Sequence, residues 1–285
     1  MKNKIKLVMS DIDGTLINED HVISEKTRKT VHRLLDQGYE FGIATGRNPE
    51  SARGIATQLD LNPDLIPIVS LNGLQVDDSK YDYHRFDVSM DYKICQSLGA
   101  LGEKYYMGVL YFFENEVFFH MDDLSVQDFE SNAEEDQLRF FKNNIKMQRI
   151  RDISEIKSKF EAGEHILKMV YIQNDDYTEL VKERLSKEFP EDYDLLMVAG
   201  GWAEIMPKSV NKGQAIADYC EFRGIEMSEV LSFGDSDNDL TMIHKSGVGV
   251  AMENARNSLK VMADKKTKSN VEDGVAVFLE TYLLD

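Results

Sequence analysis

Apolar residues follow two rhythms along this chain, and the alternation between them outlines the fold. Residues 5–10 hold Ile5, Leu7, Val8 and Met9 without Gly or Pro, the pattern of a short core strand. Over Ser24–Gln37 the apolar positions Val31, Leu34 and Leu35 move to helical spacing, with Ser24 as N-cap and Gly38 to end the helix. Phe41–Thr45 reads as a second strand. Asn48 caps a second helix, with Pro49 at its first position and Ala52, Ile55, Ala56 and Leu59 on one face. Ile66–Ser70 is a third strand, running into Asn72-Gly73. Strand, helix, strand, helix, strand at this spacing predicts a parallel α/β layer.

The last ninety or so residues repeat the rhythm. Asn211 precedes a helix with Ala215, Ile216, Tyr219 and Cys220 on one face; Val230–Phe233 reads as a strand, Asp239–Lys245 as a short helix and Val248–Ala251 as a strand. Val261–Ala263 is a further strand candidate, and a final helix from about Val271 carries Val275, Phe278 and Tyr282. Between these segments the texture changes. Tyr105–Phe113 and Val117–His120 predict a hairpin around Glu114-Asn115-Glu116, His165–Gln173 and Tyr193–Val198 predict strands, and Asp176–Phe189 an amphipathic helix. Phe112, Phe113, Phe118 and Phe119 are expected in the core of this middle region. Residues 84–196 are therefore assigned to a second domain inserted into the first, which comprises 1–83 and 197–285. Hinges are expected near 82–86 and 197–203, the latter at Gly200-Gly201 beside Trp202. The expected fold class is α/β: a Rossmann-like parallel-sheet core with an inserted α+β cap.

Composition narrows the function. With 42% hydrophobic and 29% charged residues the chain has an ordinary soluble balance. No apolar run approaches the ~18 residues of a membrane span, and the N-terminus lacks a signal-like apolar region. Cys95 and Cys220 are too few for a disulfide scaffold and too far apart for a zinc motif, so a reduced, cytoplasmic compartment is expected. The six histidines show no ligand spacing. Net charge is −18, and both parts are acidic: residues 84–196 hold 24 acids against 14 bases, the remainder 27 against 19. That disfavours a nucleic-acid surface, and no nucleic-acid partner is expected. Asp122–Asp136 carries seven acids and no base and reads as solvated surface.

Four stretches stand at predicted strand ends or helix starts: DIDGTL at 11–16, ATGR at 44–47, VNKG at 210–213 and GDSDNDL at 234–240. In an open parallel sheet such positions converge on one crevice. Asp11, Asp13 and Asp235, with Asp239 nearby, offer oxygen ligands of the kind Mg²⁺ prefers. Thr45 offers a hydroxyl, Lys212 a cation and Gly46 a backbone N–H, together a kit for phosphate binding and phosphoryl transfer. One of the acids at 11 and 13 can attack phosphorus while the other moves the proton. Residue chemistry alone leaves open which does which. Each stretch taken singly also has an ordinary structural explanation, as an Asp/Asn turn or a solvated helix start; the ordered combination does not.

The combination resembles the haloacid dehalogenase-like hydrolase superfamily, in its Cof-type branch with an inserted α/β (type IIB) cap. DIDGTL resembles the first motif, ATGR the second, the lysine of NKG the third and GDSDND the fourth, and GVGVAMENA at 247–255 and SNVEDGVA at 269–276 are typical of the branch. The resemblance implies that Asp11 is the nucleophile and Asp13 the acid/base. It implies that Asp11, the Asp13 carbonyl and Asp235 bind Mg²⁺, with Asp239 doing so directly or through water. Thr45, Gly46, Lys212 and Asn238 are then the phosphate-binding residues, and Arg47 and Asn72 the candidate substrate contacts. Ser236 departs from the glycine more usual in the fourth motif and would be strained if that position needed positive φ. The expected activity is a cytoplasmic Mg²⁺-dependent phosphatase for small phosphorylated metabolites such as sugar phosphates, acting as a monomer or weak homodimer. The alternatives are a phosphomutase of the same superfamily, or a non-catalytic protein that binds phosphometabolites.

Overall fold

A strand buried on both faces reads as a mostly apolar run, and β1 (Leu7–Ser10) is buried along its length, its one polar side chain, Ser10, donating to Asp11 O at 2.9 Å. The computed structural model describes residues 4–18, 20–86, 90–113, 116–123, 125–126, 146–199 and 201–284. The chain divides into two units, residues 1–87 with 210–285, and residues 88–209.

In the first unit β1 leads to α1 (Glu25–Asp36), where Ser24 accepts from Thr27 N at 3.0 Å, and then to β2 (Glu40–Ala44). Asn48 caps α2 (Pro49–Gln58) by accepting from Ser51 N at 2.8 Å, and β3 (Ile68–Ser70) follows. Two antiparallel strands that the apolar pattern did not announce then extend the sheet, β4 (Gln75–Asp78) and β5 (Tyr83–Phe86). Their sequence is rich in Asp and Tyr and carries no apolar run; the buried acid, Asp78, is satisfied by the Tyr219 hydroxyl and by Lys80 N.

In the second unit α3 (Tyr92–Lys104) precedes β6 (Gly108–Phe112), β7 (Glu116–His120) and β8 (Lys146–Arg149). α4 (Lys157–Glu161), β9 (Lys168–Ile172), α5 (Asp175–Glu188), β10 (Tyr193–Ala199) and β11 (Trp202–Pro207) follow. The six strands lie in the order β10-β11-β9-β6-β7-β8, antiparallel except for β7 and β8. Alternate residues face opposite sides. Tyr111, Phe113, Phe118, Tyr171 and Ile205 pack with Cys95, Leu98 and Leu185 of the helices, while Leu110, Phe112, Val117, Val170 and Trp202 form a cluster on the other face. Residues 114 and 115 of the expected turn, 127–136 of the acidic segment and Gly200 lie outside the described residues.

The chain returns to the first unit with α6 (Lys212–Arg223), β12 (Val230–Gly234), α7 (Leu240–Lys245), β13 (Val248–Ala251), α8 (Asn257–Met262), β14 (Lys265–Lys266) and α9 (Gly274–Leu279). The sheet order is β14-β13-β12-β1-β2-β3-β4-β5, parallel from β14 to β3. β1 and β12 are neighbours, so the two acidic stretches that follow them emerge side by side.

Two expectations meet a different outcome. Val261–Ala263 is not a strand: it lies at the end of α8, which anchors itself through buried Leu259 and leaves Val261 88% exposed. Trp202 does not mark a return to the core; it opens β11 and packs edge-on against Phe112, ring centroids 6.2 Å apart. The two units divide at 87/88 and 209/210, because β5 completes the first sheet and the β10–β11 pair the second.

Candidate active site

β1 ends where Asp11 N donates to Phe233 O of β12 at 3.1 Å. The chain then winds around a single acceptor, the Ile12 carbonyl, which receives Thr15 N, Leu16 N and Ile17 N at 3.2, 2.9 and 3.2 Å. The winding separates the two acids. Asp11 is buried, and its Oδ1 accepts from Lys212 Nζ at 2.7 Å. Asp13 is exposed and is gripped by Arg47, whose Nε and Nη2 donate to its two oxygens at 2.8 and 2.6 Å.

Lys212 reaches Asp11 because Asn211 caps α6, accepting from Gln214 N at 2.8 Å and fixing Lys212 at the first helical position. The ammonium is completely buried and also donates to Asp239 Oδ1 at 2.7 Å. The other oxygen of Asp239 accepts from Asp235 N at 2.9 Å and Ser236 N at 3.0 Å. Asp239 thus holds both Lys212 and the turn that presents Asp235. Ser236 sits at φ −118, so no strain arises there, and its hydroxyl donates to Asp235 Oδ2 at 3.0 Å. Gly14, at φ +72, is required: a Cβ there would lie 2.5 Å from Asp235 Oδ2.

Asp11, Asp235 and Asp239 each place a carboxylate oxygen within 4.8 Å of the others. One ammonium faces three carboxylates. Burial pushes Asp11 well above the usual carboxylate range against the pull of Lys212, and Asp239 and Asp235 add to the rise. Burial, then Asp239, pushes Asp235 up to about 6. Burial alone would lower Lys212, but Asp11 and Asp239 raise it, so it stays an ammonium. Asp235 Oδ1 is buried with no hydrogen-bond partner among the described residues, a costly arrangement. An oxygen-binding divalent cation would satisfy that atom and balance the two uncompensated charges, so the donor set fits one.

A second cluster borders the first. Thr45, buried at the end of β2, accepts from Arg47 N at 3.1 Å through its Oγ1. Leu71, Asn72 and Gly73 form a left-handed turn with φ of 51, 55 and 104. Through it Leu71 N reaches Arg47 O at 2.9 Å and Asn72 N reaches Thr45 O at 3.0 Å. Asn238 Nδ2 donates to Asn72 Oδ1 at 3.0 Å, and a Cβ on Gly46 would lie 3.0 Å from the same oxygen. Thr45, Gly46, Arg47, Asn72 and Asn238 are therefore gathered together. Sequence reasoning missed the contact of Ser236 with Asp235 and the strained backbone of Leu71, and no residue type signals the latter.

A family profile of haloacid dehalogenase-like hydrolases matches residues 8–279. A 5-amino-6-(5-phospho-D-ribitylamino)uracil phosphatase of Bacillus subtilis is 30% identical over 286 residues, covering 99% of this chain and 99% of its own. A second Bacillus subtilis phosphatase of that name is 31% identical over 291 residues, covering 98% of each chain. A solved haloacid dehalogenase-like hydrolase from Bacteroides thetaiotaomicron is similar at a TM-score of 0.76 and 25% identity, over 98% of this chain and 99% of that one. A subclass IIB sugar phosphatase of the superfamily shares the fold at a TM-score of 0.76 with 22% identity, over 97% and 98% of the two chains.

Proposed function

The chain belongs to the haloacid dehalogenase-like hydrolase family, and from that membership we propose that it is a Mg²⁺-dependent phosphatase of small phosphorylated metabolites working through an aspartyl-phosphate. The observation that carries the reading is the trio of Asp11, Asp235 and Asp239 around a single ammonium, Asp11 and Asp239 buried and Asp235 partly so, with the buried Oδ1 of Asp235 lacking a hydrogen-bond partner among the described residues.

Asp11 is the nucleophile: its carboxylate oxygen bonds to phosphorus as the ester P–O bond breaks, and Asp13 gives a proton to the departing oxygen. Asp13 then takes a proton from water, which attacks phosphorus and releases phosphate from Asp11. Lys212 holds the attacking carboxylate in place. The Thr45 hydroxyl, the Gly46 N–H and the Asn238 carboxamide bind phosphoryl oxygens, and Arg47 and Asn72 lie beside them. Asp11, the Asp13 carbonyl and Asp235 would hold Mg²⁺, which when bound neutralises phosphoryl charge. Asp239 has both oxygens committed to Lys212 and the 235–236 backbone, so it is assigned a supporting place rather than a direct ligand's.

The first unit supplies this chemistry, so discrimination among phosphate esters is assigned to residues 88–209. Two relatives named for a phosphoribitylamino substrate point toward phosphorylated sugars and sugar alcohols. The test is phosphate release by the full-length protein from p-nitrophenyl phosphate and a panel of sugar and ribityl phosphates, with Mg²⁺ and with EDTA. Asp11→Asn should lose at least roughly a thousandfold in turnover with unchanged circular dichroism. Activity in metal-free protein, or near-normal turnover by undeamidated Asp11→Asn, would overturn the reading.

A further inference from the structure

The loop carrying Asp11 and Asp13 is held from outside by two asparagines. Asn254 Nδ2 donates to the Gly14 carbonyl at 2.8 Å, Asn254 Oδ1 accepts from Asn270 N at 3.1 Å, and Asn270 Nδ2 donates to the Ile17 carbonyl at 2.9 Å. The same turn grips the other acidic loop, with Arg256 N donating to Asp235 O at 2.8 Å and Met252 N to Gly234 O at 3.1 Å. Residues 252–256 are thus tied to both loops whose carboxylates face each other.

The tie falls where the catalytic loop is weakest. Gly14 has the widest backbone freedom of any residue in that loop, and its φ of +72 lets its carbonyl reach Asn254. There is no room for a side chain between Gly14 and the Asp235 carboxylate, where a Cβ would come within 2.5 Å of Oδ2, so the backbone at Gly14 bears on the separation of Asp11 and Asp235. A divalent ion with strict octahedral demands is sensitive to that separation.

We propose that Asn254 and Asn270 are positioning residues that set the spacing of the Asp11 and Asp235 carboxylates for a divalent cation. This rests on the metal reading above. The asparagine of MENA and the asparagine of SNVEDG are then two ends of one strap, which gives both stretches a place in the site although neither lies in the four acidic or basic motifs.

The experiment is calorimetric titration of Mg²⁺ into metal-free full-length protein, wild type against Asn254→Ala and Asn270→Ala, with thermal unfolding in EDTA alongside. Each variant should bind Mg²⁺ about tenfold more weakly, as loss of an outer partner does. The double variant should be little weaker than either single one, because both act through one relay. Turnover at saturating Mg²⁺ should change much less than the Mg²⁺ concentration needed to reach it. Wild-type affinity in both variants, with only a lower unfolding temperature, overturns the strap and leaves the phosphatase reading intact. Should one variant fail to fold, the other tests the opposite anchor. If wild type binds no Mg²⁺ that Asp235→Asn abolishes, the metal reading itself has failed.

Discussion

In the first unit Lys212 is buried against Asp11 and Asp239 where parallel strands end, and in the second Lys168 is buried against Glu204 on the face of an antiparallel sheet, its ammonium 5.2 Å from the Phe112 ring centre. Both are ion pairs out of water. Lys168 and Glu204 bring one charge of each sign, whereas Lys212 stands among three carboxylates. A buried ion pair often contributes little net stability, since desolvation offsets attraction. An unbalanced cluster is a different object: its surplus negative charge is held in place by Asp239, the Asn211 cap and the strap on Gly14, and it suits a divalent cation. The contrast separates a buried charge that completes a core from one that prepares a reaction.

Removing single partners and whole pairs should expose that difference most sharply. Lys212→Met leaves Asp11 and Asp239 facing each other without a cation and should lower stability by about 3–5 kcal/mol near neutral pH. The loss should shrink as pH falls, because Asp11, already raised by burial, takes up a proton and removes the repulsion. Replacing the second unit's pair together, Lys168→Met with Glu204→Leu, should change stability by no more than about 1 kcal/mol. Urea unfolding of the three proteins at two pH values is the measurement. A double variant as damaged as Lys212→Met would erase the distinction.

The same contrast explains what could be read from the sequence. Parallel strands alternating with helices impose a spacing, so β1, β2, β3, β12 and β13 were legible from their apolar runs, and the Ser24, Asn48 and Asn211 caps stand where their residue types suggest. The four acidic and basic stretches were legible because the topology brings strand ends together. β4 and β5 were not: β4 buries Asp78, whose partner Tyr219 lies more than a hundred positions away, and β5 buries no residue at all. β11 was not separated from the returning chain because Gly200-Gly201 reads equally well as a hinge or as a hairpin turn. The different surroundings of Asp11, buried on Lys212, and Asp13, exposed on Arg47, go with a turn in which the Ile12 carbonyl collects three N–H groups, which no periodicity reports.

The surplus charge makes a smaller, pH-dependent prediction. A carboxyl raised to about 6 in the folded protein, as Asp235 is, favours the native state fully below its unfolded value near 4 and loses that contribution as pH rises to about 6. A cation binds the ionised form. The rise in unfolding temperature caused by saturating Mg²⁺ should therefore be large at pH 7.5 and small at pH 5, and Mg²⁺ affinity should fall at least about tenfold per pH unit below 6, one competing proton coming from Asp235 and any steeper fall from Asp11. Asp235→Asn should remove the Mg²⁺-induced rise at both pH values. A rise in wild type that is independent of pH would show that the carboxylates of this cluster are not its source.

The smallest expected effect compares how the two units end their helices. α1 stops at Gly38, with Gly38 N donating to Leu35 O and Tyr39 N to Leu34 O, and α6 stops at Gly224, with Gly224 N donating to Glu221 O and Ile225 N to Cys220 O. Both glycines are left-handed, at φ 87 and 65. In the second unit α3 ends in the same hydrogen-bond pattern, Tyr106 N to Glu103 O and Met107 N to Gly102 O, but the left-handed residue is Tyr106, at φ 52 and 77% exposed. Holding a residue with a Cβ there costs about 1–2 kcal/mol, and glycine returns roughly 0.5–1 kcal/mol of that through its greater unfolded-state freedom. Tyr106→Gly should therefore stabilise the protein by about 0.5–1 kcal/mol, since the exposed ring gives up little burial. Gly224→Ala should destabilise by a similar amount for backbone reasons alone, because a Cβ on Gly224 meets nothing within 4 Å. Urea midpoints for the two variants should move in opposite directions. If Tyr106→Gly instead lowers the midpoint, the exposed ring contributes more to the second unit than its backbone costs, and the left-handed tyrosine is retained for its side chain.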